Sequence, residues 1–108
     1  MASKFTVEVS MREAPAEAQA RAASALSQPS RALGLRLRSR GAGELSYGPR
    51  VQFPFLIMLF HYLNGERMKV RFDAEGGGGS LVTISGAVAK SKHPLAADPD
   101  YWTEALGG

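Results

Sequence analysis

The chain has 108 residues, of which 44% are apolar and 21% charged, a net charge of +3 from 13 Lys+Arg against 10 Asp+Glu, and no cysteine. That length and apolar share suit one domain spanning residues 1–108 with a packed core, and they exclude a disordered chain and a pair of domains. The missing cysteines exclude disulfides, thiolate zinc ligation and a cysteine nucleophile, in keeping with a reducing, cytoplasmic setting.

The first ten residues, MASKFTVEVS, alternate polar and apolar side chains and lack the basic stretch, apolar run and small-residue cleavage site of a signal peptide. Phe5, Val7 and Val9 fall on one face of an extended chain and Thr6 and Glu8 on the other, so a first strand is expected here. Ala14 to Gln28 is rich in Ala, Glu, Gln, Arg and Leu, and Pro15 is tolerated in a first helical turn, where its missing N–H has no intrahelical partner. Ser10 and Glu13 have capping-box spacing, and a start near Ala14 fits Pro15 equally well. Ala18, Ala22, Ala25 and Leu26 recur at helical spacing, and their small size brings the helix backbone close to whatever it covers. Gln28-Pro29-Ser30 is expected to end this helix.

Leucines and arginines alternate in Leu33-Gly34-Leu35-Arg36-Leu37-Arg38-Ser39-Arg40, the pattern of a half-buried strand. Gly41-Ala42-Gly43 supplies a hairpin turn before Glu44-Leu45-Ser46-Tyr47, and Gly48-Pro49 closes that third strand. Val51 to Leu63 follows, apolar on nearly every side in either helix or strand period, and short of the ~20 apolar residues that span a bilayer. Met68, Val70 and Phe72 then alternate with Arg67, Lys69 and Arg71, and Val82, Ile84 and Val88 mark a further strand. Gly76 to Gly79 with Ser80 has the composition of a flexible linker, but strand-like flanks make it a hairpin loop. The tail carries Asp98 as an N-cap, Pro99 at the first helical position, early carboxylates and a Gly107 stop, with Trp102 and Leu106 as the docking face of a short helix.

The order β-α-β-β-(51–63)-β-β-α specifies an α+β fold: a single antiparallel sheet of about five strands, one long helix on one face and a short C-terminal helix. That order resembles the helix-grip arrangement of START-like ligand-binding domains and, equally, the half-repeat of TATA-binding-protein-like folds. The first resemblance implies a small-molecule carrier or a cyclase-like enzyme with an apolar pocket.

Two features carry chemistry. Arg36, Arg38 and Arg40 on one strand and Arg67, Lys69 and Arg71 on another lie opposite apolar sets, so both rows are expected on the uncovered sheet face, where they would hold phosphates of nucleic acid or of an anionic membrane surface. A solvated, edge-protecting face explains the same pattern, and no interleaved aromatics point to base stacking. The apolar 51–63 segment offers Phe53, Phe55, Met58, Phe60, His61 and Tyr62, joined by Trp102, for a protein partner, a homodimer contact, a hydrophobic small molecule or the headgroup region of a membrane; a central core element is the alternative. His61 and His93 lack a second ligand at i+3 or i+4, so no metal is expected. His93, ahead of Pro94, reads as a solvated loop residue, and Asp98 and Asp100 read as helix-capping rather than catalytic. Ser80 lacks a nucleophile-elbow context, and the glycine run lacks the Gly-Lys-Ser/Thr ending of a P-loop. No catalytic residue and no cofactor is assigned. The function expected is a non-enzymatic binding or interaction module working through residues 51–63, with the carrier or enzyme and the anionic-surface binder as alternatives.

Overall fold

The computed structural model describes residues 2–49 and 65–107. Alternating side chains build five strands, β1 (Ala2–Met11), β2 (Leu35–Gly41), β3 (Glu44–Pro49), β4 (Arg67–Ala74) and β5 (Ser80–Ala89), which form one antiparallel sheet in the order β1-β5-β4-β3-β2. Helices α1 (Pro15–Ala25) and α2 (Ser27–Ala32) carry the chain from β1 to the far edge of the sheet, and α3 (His93–Ala96) and α4 (Pro99–Ala105) follow β5. The α+β class and the single antiparallel sheet are as the sequence pattern specifies.

The period-two pattern of β1 sets its register. Phe5, Val7 and Val9 stand opposite Gly86, Ile84 and Val82 of β5 on the helix side, while Lys4, Thr6 and Glu8 stand opposite Ala87, Ser85 and Thr83 on the other. Met68, Val70 and Phe72 of β4 and Leu45 and Tyr47 of β3 continue the apolar layer, each exposed by no more than 4%. Ala18 and Ala22 of α1 are fully buried over this layer, so the absence of bulk lets the helix backbone approach the sheet. Leu26 at the junction of α1 and α2, Leu33 at the end of α2 and Leu106 after the last helix are buried too, each contributing about 1.5–3 kcal/mol of burial energy.

The structure corrects two expectations. Instead of one helix ending at Gln28-Pro29-Ser30, the chain bends at Leu26 and starts α2 at Ser27. Pro29 lies within the first turn of α2, where N–H groups have no intrahelical partner, so it permits the helix it was expected to stop. Ser30 is buried there, and its hydroxyl donates to the Ser27 carbonyl at 3.1 Å. His93 is likewise no free loop residue. It opens α3, and its Nε2 lies 2.9 Å from the Lys4 carbonyl, tying that helix to the edge strand β1.

The N-terminal cap of α1 is Ala14, without a side-chain bond, so the Ser10–Glu13 box is not formed. At α4 the Asp98 carboxylate accepts the Asp100 N–H at 3.0 Å, with Pro99 at the first helical position. Asp98→Ala is expected to lose about 1 kcal/mol, read as a lower urea midpoint at unchanged slope. The Gly76–Gly79 stretch closes the β4–β5 hairpin, in which Ala74 pairs with Ser80. No helix among the described residues is long and apolar enough to cross a membrane.

Candidate functional site: the open face of the sheet

Side chains opposite the core form a second surface. Reading across the sheet, Thr6 of β1, Ser85 of β5, Lys69 of β4 and Ser46 of β3 occupy one row, and Lys4, Ala87 and Arg67 the next. Lys4, Thr6, Arg67, Lys69 and Arg71 are all exposed. Together with Ser46 and Ser85, the first four of these line an open trough of about 510 Å³ whose floor is the backbone of Phe5, Tyr47, Met68 and Gly86. Hydroxyl groups and cations thus alternate across it, with Lys69 between Ser85 and Ser46, the donor set that suits phosphate or carboxylate oxygens.

The neutralising contacts on this face are weak. Lys69 Nζ is 3.7 Å from Glu44 Oε1, and Arg71 Nη2 is 3.8 Å from Asp73 Oδ1, both between exposed side chains. Exposed pairs of this kind are worth about 0–1 kcal/mol, little enough for an arriving anion to displace the carboxylate. Arg67 donates from Nη1 to the Gly65 carbonyl at 2.7 Å, which holds its guanidinium at the sheet end without neutralising it.

The two basic rows do not behave alike. Arg67, Lys69 and Arg71 share the open face, as their alternation implies. On β2, however, the pairing with β3 slips between Leu37 and Ser39: Arg36 stands opposite Gly48 and Leu37 opposite Tyr47, but Ser39 stands opposite Ser46 and Arg40 opposite Leu45. Arg38 is the extra residue of a β-bulge, and the slip turns Arg40 to the helix side, where its charge acts on the Tyr47 hydroxyl. Arg38 remains on the open side. It folds across the space left by Gly48, where a Cβ would lie 3.1 Å from its Cγ, and Nη2 donates to the Pro49 carbonyl at 3.0 Å.

No protein-family model, curated protein or solved structure matches this chain.

Phe53, Phe55, Met58, Phe60, His61 and Tyr62 lie outside the described residues. Trp102, grouped with them in the sequence reading, is fully buried in the core. It stacks on Phe5 with centroids 6.3 Å apart, meets Tyr101 edge-on at 5.0 Å, and donates from Nε1 to the Ala96 carbonyl at 2.7 Å. Sequence reasoning missed Lys4, Thr6, Ser46 and Ser85. The outward parity of Lys4 with Thr6 and Glu8 was visible in β1, but its place beside Arg67 needs β5 between them.

Proposed function

We propose that this domain is a non-enzymatic binding module that meets an anionic lipid surface through the open face of its sheet. The observation that carries this reading is the trough lined by Lys4, Arg67 and Lys69 together with the hydroxyls of Thr6, Ser46 and Ser85, with no helix of the described residues packed over it. Phosphate headgroups suit that donor set, and each cation near an anionic surface adds about 1 kcal/mol of attraction.

A membrane surface is favoured over nucleic acid by what adjoins the trough. Pro49 and Gly65, which flank the apolar 51–63 segment, line one concavity with Glu66 and Arg67, and Arg38 bonds the Pro49 carbonyl. Greasy sequence therefore leaves and re-enters the described chain beside its cations. A chain that carries both cations and an apolar sequence joined on at Pro49 and Gly65 has the two ingredients that peripheral membrane binders use. The open face carries no aromatic platform for stacking bases.

Co-sedimentation with vesicles tests the reading. Binding is expected to phosphatidylserine–phosphatidylcholine vesicles, weakening as salt rises from about 0.05 to 0.5 M, and not to pure phosphatidylcholine. Replacing Lys4, Arg67 and Lys69 together by Gln is expected to weaken partitioning on the order of 100-fold. Equal binding to neutral vesicles, or a triple variant that binds like the parent, would sink the proposal. Tighter, steeply salt-dependent capture of a mixed-sequence oligonucleotide would replace it with a nucleic-acid reading.

A further inference from the structure

On the opposite side of the sheet, a cleft of about 350 Å³ opens between the helical pair and the edge strand, lined by Ala23, Ser27, Ser30, Arg31, Leu37 and Tyr47 among others. Tyr47 is 4% exposed, and its hydroxyl oxygen is buried with no hydrogen-bond partner among the described residues. A buried hydroxyl without a partner is a net cost, and most such groups in folded proteins are satisfied. Burial pushes its ionisation up to about 12, against a smaller opposing pull from Arg40, so it stays a protonated donor under ordinary conditions. The charged residues on the wall are Arg31 and Arg36, and no carboxylate lines the cleft among the described residues.

We infer that this cleft is a binding site for a small organic carboxylate: the Tyr47 hydroxyl donates to one carboxylate oxygen, the Arg31 guanidinium pairs with the group from the cleft wall, and a short apolar body lies against Ala23 and Leu37. The arginine fork matches a carboxylate, a neutral amide lacks the charge that repays desolvating the guanidinium, and the volume suits a ligand of a few carbons rather than a macromolecule. The site is separate from the open face and does not rest on the membrane reading.

The test is a titration of the full chain with sodium hexanoate, followed by ¹⁵N–¹H correlation spectra, with hexanamide as the neutral counterpart. Expected are saturable shifts at the Ser30, Leu37 and Tyr47 amides, and binding of hexanamide at least about 10-fold weaker. Tyr47→Phe, which removes only an unpartnered oxygen, is expected to keep the parent spectrum and lower hexanoate affinity about fivefold or more, and Arg31→Gln about 10-fold. Shifts that never saturate, shifts confined to Thr6, Ser46 and Lys69, equal affinity for hexanamide, or undiminished binding by Tyr47→Phe would each overturn the inference. Vesicle binding by Arg31→Gln, whose side chain lies outside the trough, is expected to equal the parent's, so failure of one proposal is distinguishable from failure of the other.

Discussion

Trp102→Ala is expected to lower the unfolding free energy by about 3–5 kcal/mol, a large part of what holds a domain of this size together. The indole is fully buried where α4 closes over β1, and no smaller side chain at this position fills the same space. Removal opens a cavity against Phe5 and Tyr101 and leaves the Ala96 carbonyl without the donor that now reaches it at 2.7 Å. Urea unfolding followed by circular dichroism measures the loss. Trp102→Phe is expected to lose less, because a ring still stacks on Phe5 while the carbonyl goes unpaired. A loss below about 1 kcal/mol for the alanine variant would mean that α4 is not docked as described.

Gly86→Ala is the second large effect, expected at about 3 kcal/mol, at the upper end of the usual cost of forcing atoms into a packed interior. Gly86 stands opposite both Phe5 and Met68 in the middle of the sheet. A Cβ there would lie 2.7 Å from the Met68 Cα and press on the Arg67 carbonyl oxygen, so the β4 backbone itself must move. The same methyl at Gly76 meets nothing within 4 Å, and Gly76→Ala is expected to be neutral or to stabilise by up to about 1 kcal/mol through the unfolded chain. Thermal unfolding of the two variants side by side isolates the close approach from any general effect of losing a glycine. Because Gly86 forms part of the trough floor beneath Lys69 and Ser85, its replacement is also expected to weaken vesicle binding in whatever fraction remains folded.

Much of the fold was legible because its signals are local. Phe5-Val7-Val9 and Met68-Val70-Phe72 announce their buried faces by alternation alone, and the Asp98-Pro99 start of α4 is written in two adjacent residues. The failures have specific causes. Pro29 reads as a stop because a proline ends a helix when it falls in the interior, and only the bend at Leu26 makes it part of a new first turn. Strict alternation from Leu33 to Arg40 hides the bulge at Arg38, since a bulge is a property of two strands and the partner's contribution, Gly48, carries no mark that it will receive an arginine side chain. Trp102 and Leu106 dock inward, as their i, i+4 spacing implies, but that spacing reads the same whether such a face meets its own core or a partner, so Trp102 also reads as a contact residue.

By itself, the amino-acid sequence determined which residues share a side of each regular element, β2 beyond its bulge excepted, because the 3.6 and 2.0 periods of helix and strand are set by backbone geometry within a few residues. It also settled the α+β class and an abundance of cations opposite the apolar set of β4. Only the tertiary structure decided that β1 lies against β5, so that Lys4 joins Arg67 and Lys69 around one trough, and that Arg40 turns to the helix side. The first depends on pairings between residues some 80 positions apart, such as Lys4 with Ala87, and the second on a register slip in the β2–β3 hairpin that sets Arg40 opposite Leu45. Such pairings are selected by the packing of the whole core rather than by any neighbouring residue.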